Sequence, residues 1–306
     1  QLDWLPKTSL EQGLEKTIGW VHNNGQDYQF KVPRYENGDD ILTDLALPSE
    51  DYGWFVDPHR GDLINMMHAF IRHSQFVVSV SPGQLEDYVT TDAKGGGEGF
   101  RHVFLDLLGQ KRLGASVNGI PLVERQKERF GMSLKDVKTD EDRDRFLAIQ
   151  QETKMKSKGI IATRYREFWR TQDGKTGNLS EDNFVVTLIS RIAEQKGIEF
   201  VTPFVRRVLE IGKYPDATFI FAGNGDPDFM RQLDELAWQF PGRVGYNNNF
   251  VNNKDAIYHH LYGAGDLFLS LSKFEPGGIA PMEALAYGVP VLASDKQGHK
   301  STVKRL

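Results

Sequence analysis

Between Gly265 and Ala293 the chain passes from an apolar run (Leu267 to Leu271) through a glycine turn (Gly277, Gly278) into a helical stretch (Ile279 to Tyr287). A second apolar run follows, Val289 to Ala293. Strand, turn, helix and strand in so few residues leave little choice but a layered α/β arrangement. Two glutamates bracket the turn, Glu275 and Glu283. On one continuous helix, eight steps would set them about 80° apart in azimuth and about 12 Å apart along the axis. They would then share no ligand. The Pro276-Gly277-Gly278 break allows Glu275 to sit on a loop and Glu283 on the helix behind it, both facing one pocket. The start of that helix offers free N–H groups and the positive end of its dipole to an anion. A sugar carrying a diphosphate fits such a site.

The same alternation extends upstream. Phe184–Ile189 reads as a buried strand, and Ile198, Val201, Phe204, Val205 and Val208 fall on one helical face. Thr218–Ala222 is the next expected strand, followed by a helix from Phe229 to Phe240. A short strand near Val244 and a helix from Lys254 to Leu261 complete the series. Strands alternating with helices of this length imply a parallel sheet covered on both faces. Such sheets bind ligands beyond the C-terminal ends of their strands. Earlier, residues 62–81 read as a helix followed by a strand from Phe76 to Val80.

Composition narrows the class. The net charge of −5 gives no general attraction to nucleic acid or to an anionic membrane. Without cysteine there is no disulfide, thiolate nucleophile or cysteine-ligated zinc. No apolar run reaches the roughly 18 residues of a membrane span. The first residues, Gln1-Leu2-Asp3-Trp4, show no signal-peptide pattern, and a cytoplasmic setting is expected. The absent initiating Met suggests a piece of a longer chain.

Ser190-Arg191 to Gln195-Lys196-Gly197 follows a strand and opens a helix. Arg191, with its fork of donors, and Lys196, a mobile point charge, can both reach a diphosphate there. Gly223 and Gly225 follow the next strand. They either line a nucleotide pocket or form an ordinary strand-to-helix turn; Asp228 breaks any dinucleotide fingerprint. Asp226-Pro227-Asp228 looks like a metal-binding carboxylate pair, but an acid at a helix start is the simpler reading, and no metal is expected. Lys94-Gly95-Gly96 lacks the Lys-Ser/Thr ending of a phosphate loop and reads as a loop. Adjacent His259 and His260 point apart on a helix and do not suggest zinc.

Four stretches now line up: Phe76 to Pro82; Val117-Asn118-Gly119-Ile120; Ser190-Arg191 to Gly197; and Ser272-Lys273-Phe274-Glu275-Pro276-Gly277-Gly278 to Glu283. In this order the chain from about Gly61 to Leu306 resembles the retaining GT-B glycosyltransferases of the glycogen and starch synthase family. The resemblance implies a Rossmann-like donor domain preceded by a remnant of an acceptor domain. It implies transfer of glucose from ADP-glucose or UDP-glucose to an α-glucan end, with retention and without a metal or other cofactor. Arg191 and Lys196 would bind the donor diphosphate, Glu275 would hold the transferred glucose, and Glu283 would bind the ribose. The N–H groups of Gly277, Gly278 and Ile279 would meet phosphate or sugar oxygens, and Asn118 would reach the donor sugar. In a plant or alga the same family implies a plastid. Two other readings stay open: a nucleotide-sugar-binding piece without turnover, and a GT-B transferase with a small acceptor.

The chain departs from the family at several points. Pro121 follows Asn-Gly-Ile where Asp is usual, Lys273 replaces Arg, Gly277 replaces Cys or Phe, and Gly83-Gln84 replaces Thr-Tyr. No Lys-x-Gly-Gly donor loop is found in the expected place, and further sheet is expected beyond Val303. Residues 6–20 separately resemble the C-terminal tail of sugar-nucleotide epimerases. The expected organisation is an epimerase-tail-like helix over 1–25 and an acceptor-domain remnant over 26–116. A hinge and charged linker region over 117–183, with solvated helices followed by a linker over 124–183, and a donor domain over 184–306 truncated at its C-terminus would follow.

Overall fold

The structure is a computed structural model that describes residues 31–36, 39–40, 42, 49, 52–93, 96–163, 168–169, 179–180, 182–249 and 256–303. The epimerase-like segment 1–25, Lys94-Gly95 and most of 171–182 lie outside them. The chain divides into two compact units. The first comprises residues 1–79 and 84–115, the second residues 80–83 and 116–306.

In the first unit β1 (Lys31–Pro33) pairs antiparallel with β4 (Leu63–Asn65), and β2 (Tyr35–Glu36) with β3 (Asp39–Asp40). The helix-then-strand expectation for 62–81 appears as α2 (Met66–His73) and β5 (Val77–Ser79), after the short α1 (Tyr52–Phe55). β5 runs parallel to β6 (Leu113–Ala115). Phe100, Val103, Phe104, Leu107 and Leu113 form the core of this unit, chiefly from α4 (Arg101–Gly109). α3 (Pro82–Thr90) precedes α4.

The second unit is built on a five-stranded parallel sheet in the order β11-β10-β7-β8-β9. Its strands are β7 (Phe184–Ile189), β8 (Ala217–Ala222), β9 (Val244–Asn247), β10 (Leu267–Ser270) and β11 (Val291–Ala293). All five strands were legible as apolar runs, because strands covered on both faces carry few polar residues. Alternation sorts their side chains. Val186, Leu188, Phe219 and Phe221 pack beneath α7 (Ile198–Ile211) and α8 (Pro227–Gln239). Val185, Ile189, Ile220 and Ala222 face the opposite layer. That layer holds α9 (Ala256–Gly263), α10 (Ile279–Ala286) and two helices from earlier in the chain, α5 (Leu122–Phe130) and α6 (Asp140–Thr163). α11 (Gln297–Thr302) ends the described chain.

Two expectations are corrected. Phe204, assigned to the buried face of α7, is 48% exposed, and Leu209 takes a place in the core instead. The helices expected within 124–183 are present, but they are not simply solvated. Phe130, Phe146, Ile161, Phe168 and Trp169 share one core with the sheet.

Because β7 comes first in this sheet and lies between β8 and β10, the winding direction reverses at the β7–β10 pair. The crevice outside the C-terminal ends of strands at such a reversal is where ligands settle. The loops after β7 and β10 are those that carry Arg191, Lys196 and Glu275.

Candidate active site

Parallel pairing sends the chain out of β7 and β10 along the same rim. There the two loops are stitched together. Lys273 N–H donates to the Gln195 carbonyl at 2.8 Å, and Gln195 Nε2 donates to the Phe274 carbonyl at 3.2 Å. Lys273 Nζ meets Glu194 at 2.7 Å and Glu199 at 2.5 Å. Those carboxylates hold the Lys273 ammonium above its ordinary range. Lys196 Nζ donates to Glu275 Oε2 at 2.5 Å. Gly197 stands at φ +71°, and a Cβ there would overlap the Leu271 carbonyl oxygen. The turn after β7 therefore closes against the loop after β10 only as glycine.

Glu275 is 8% exposed. Ser272 Oγ donates to its Oε2 at 2.8 Å, and the Gly278 N–H lies 3.4 Å from its Oε1. Burial alone would push this carboxyl up. The Lys196 charge and hydrogen bond, the Ser272 hydroxyl and the nearby His299 outweigh it and hold it below the ordinary glutamate range. His299, buried beneath this loop, contacts Ser270 Oγ at 2.9 Å and the Ser294 carbonyl at 2.9 Å, and burial pushes it down.

Glu283 lies on α10 and is 3% exposed. Arg125 Nε on α5 donates to its Oε1 at 3.2 Å. Here burial dominates, Arg125 offsets only part of it, and the carboxyl stays above its ordinary range.

The remaining expected residues divide. Arg191 is exposed, and its Nη2 donates to Gln195 Oε1 at 2.6 Å, which keeps it on the rim of Lys196 and Glu275. Asn118 comes against Gly277: a Cβ on Gly277 would stand 2.5 Å from Asn118 Nδ2. Gly278, at φ +63°, caps α10, and Ile279 opens it, 47% exposed. The Gly278 N–H, expected to await a ligand oxygen, already faces Glu275. Gly223 and Gly225 meet a packing constraint of the fold. A Cβ on either would overlap the carbonyl oxygens of Ser190 or Ile192, so these glycines let the β8 turn pack on the β7 turn. Asp226 is an N-cap, accepting from the N–H groups of Asp228 and Phe229, while Asp228 pairs with Arg231 at 3.0 Å. Among the described residues no group of three or more His, Asp or Glu is placed to hold a metal ion. His259 and His260 point apart, to Tyr287 and to Ser157.

Sequence reasoning missed Ser272, Gln195, Arg125 and His299. Ser272, three residues before Glu275, and Gln195, beside Lys196 and four residues after Arg191, carried local signals. Arg125 reaches the site across 158 residues, and His299 lies beneath it.

Residues 170–306 match the family described as Glycosyl transferases group 1. The glycogen synthase of Hydrogenovibrio crunogenus is 28% identical over 305 residues, covering 96% of this chain and 54% of that protein. Glycogen synthase 1 of Synechocystis sp. is 33% identical over 115 residues, 37% of this chain and 23% of its own length. The catalytic domain of Starch Synthase IV from Arabidopsis thaliana, solved bound to ADP and acarbose, shares the fold. It superposes with a TM-score of 0.62 at 22% identity, over 91% of this chain and 51% of that one. The chain thus spans about half the length of these long-matching relatives. No described helix is long and apolar enough to cross a membrane. Residues 170–306 thus match the group 1 glycosyltransferase family, and the fold resembles that of a GT-B starch synthase catalytic domain.

Proposed function

We propose that this chain serves transfer of a glucosyl group, with retention, from ADP-glucose or UDP-glucose to the end of an α-glucan. One observation carries the reading: Lys196 and Glu275, 79 residues apart in sequence, meet at 2.5 Å on the rim where the sheet reverses its winding. Bond cleavage at the sugar leaves negative charge on the departing diphosphate. Lys196 and Arg191 place fixed positive charge beside it, and such electrostatic stabilisation is commonly the largest catalytic contribution. Glu275, oriented by Ser272 and Lys196, holds the transferred sugar. Asn118 approaches the same turn at Gly277 and reaches the sugar from there. Glu283 takes the ribose. Asp226 is engaged as a helix cap, so the charge is assigned to the two cations rather than to a metal on Asp226 and Asp228. The names of the relatives and the ADP in the starch synthase structure support a nucleoside diphosphate sugar as donor.

The span of about half of the relatives favours a second reading, donor binding without turnover. Incubation with labelled ADP-glucose or UDP-glucose and glycogen separates the two. Transfer predicts label in the polymer and equimolar nucleoside diphosphate. Binding with no release of glucose or nucleoside diphosphate assigns the second reading to this chain.

A further inference from the structure

Glu283 is held from one side only. Arg125 Nε takes Oε1 at 3.2 Å, while Oε2 is buried and accepts no hydrogen bond among the described residues. Arg125 itself is well placed to act as a fixed clamp. Pro121 caps the start of α5, and its carbonyl accepts the Arg125 N–H at 2.9 Å. The next side chain, Gln126, ties α5 to α10 through the Ala286 carbonyl at 3.5 Å. The Arg125 side chain is 15% exposed, and a second contact, to Glu128 at 3.8 Å, steadies its guanidinium. The other groups around Glu283 are Tyr258 and Tyr262 on α9, Tyr287 just past α10, and the Glu128 carboxylate on α5, whose charge also raises the Glu283 carboxyl. Burial pushes all three phenols up, so they stay neutral. A buried carboxylate oxygen without a donor is uncommon in a finished core. Here one oxygen is held by Arg125 and the other has no donor among the described residues.

We propose that Arg125 is a positioning residue that fixes the Glu283 carboxylate, so that Oε2 accepts a ribose hydroxyl of the donor nucleotide. The proposal rests on the reading that Glu283 meets the ribose. No carbohydrate chemistry passes through Arg125; it orders the group that does the recognising.

The test uses the full chain with whichever of ADP and UDP binds more tightly, and the matching 2′,3′-dideoxynucleotide. Calorimetry gives the affinity ratio of the two across pH. The wild type is expected to prefer the hydroxylated nucleotide about tenfold, as for a hydrogen bond to a charged group. In Arg125→Gln the preference is expected to fall below about threefold at neutral pH. Burial already lifts the Glu283 carboxyl and Arg125 opposes it, so its removal lifts the carboxyl further. The remaining preference in the variant should therefore vanish at a higher pH than in the wild type, a change that simple loosening of α5 would not produce. A wild type that binds both nucleotides equally removes the ribose reading of Glu283, and this proposal with it. A discriminating wild type beside an equally discriminating Gln variant, with the same pH profile, removes the proposal alone. Should the Gln variant not fold, Arg125→Lys decides. Its single flexible ammonium does not fix the carboxylate plane, so a preference at least about threefold smaller is expected. An unchanged preference overturns the proposal.

Discussion

Two carboxylates eight positions apart, both nearly fully buried, are driven in opposite directions. Glu275 has an ammonium at 2.5 Å and a hydroxyl at 2.8 Å, and its carboxyl is lowered; Glu283 has one guanidinium contact at 3.2 Å among tyrosines, and its carboxyl is raised. The partners decide, since burial pushes both upward. The consequences for stability have opposite signs. The Glu275 contribution is complete above the ordinary glutamate value of 4.5 and is lost as pH falls through the lower folded value. Glu283 contributes most when protonated, and that contribution is lost as pH rises through its raised value. Glu275→Gln is therefore expected to unfold with a shallower acid dependence than the wild type between about pH 5 and pH 3, read by denaturant midpoints at each pH. An identical acid limb would mean that Glu275 carries no depressed carboxyl. The cation side has its own test. Lys196→Ala is expected to weaken ADP or UDP binding by about 1.5–3 kcal/mol, and Arg191→Ala by less, because Arg191 is exposed. Unchanged nucleotide affinity in both would remove the diphosphate from this rim.

Turns decide how the strands deliver these side chains. The turn after β8 lies on the turn after β7, with the Ile192 N–H on the Asn224 carbonyl at 2.8 Å and the Asp226 N–H on the Ile192 carbonyl at 2.7 Å. Gly223, at φ +143°, has no room for a Cβ because the Ser190 carbonyl occupies the space. Gly212, at φ +67° after α7, has nothing within 4 Å of that direction. The pair separates two costs that sequence alone merges. Gly212→Ala is expected to lose about 1–2 kcal/mol from the left-handed backbone only. Gly223→Ala should lose roughly 3 kcal/mol or more, because a backbone carbonyl must also move. Equal melting temperatures for the two variants would contradict the packing role given to Gly223. The order and limits of β7, β8, α8, β10 and α10 were readable because their apolar positions follow periods of 2.0 and 3.6. The contacts of Lys273 with Glu194 and Glu199 were not, since they join the loop after β10 to the turn after β7 and the start of α7, which become neighbours only after β10 docks beside β7.

The least legible part of the molecule was α6. Its inward stripe, Phe146, Gln150, Lys154, Ser157 and Ile161, steps at helical spacing but is mostly polar. Lys154, Ser157 and the neighbouring Lys158 find partners that the sequence does not announce. Lys154 meets Asp266 at 2.9 Å, Lys158 meets the same carboxylate at 3.0 Å, and Ser157 contacts Arg129 and the His260 ring. Burial pushes the Asp266 carboxyl up, but the Val185 N–H and the two lysines outweigh it and hold it low. The sheet unit thus begins well before its first strand. Five large side chains, Phe130, Phe146, Ile161, Phe168 and Trp169, bury against the sheet from this earlier region. At about 1.5–3 kcal/mol for each buried side chain, they supply on the order of 10 kcal/mol. That equals the whole net stability of an ordinary domain, about 5–15 kcal/mol. A chain cut to residues 182–306 would leave Val185, Ile220, Ile257 and Phe268 without their cover, and Asp266 without either lysine. A chain cut to residues 116–306 keeps all of these. The longer piece is expected to unfold in one cooperative thermal transition, while the shorter one shows no transition and binds a hydrophobic dye at room temperature. Cooperative unfolding of the shorter piece would show that α5 and α6 only decorate the sheet, and would return residues 117–183 to the role of a linker.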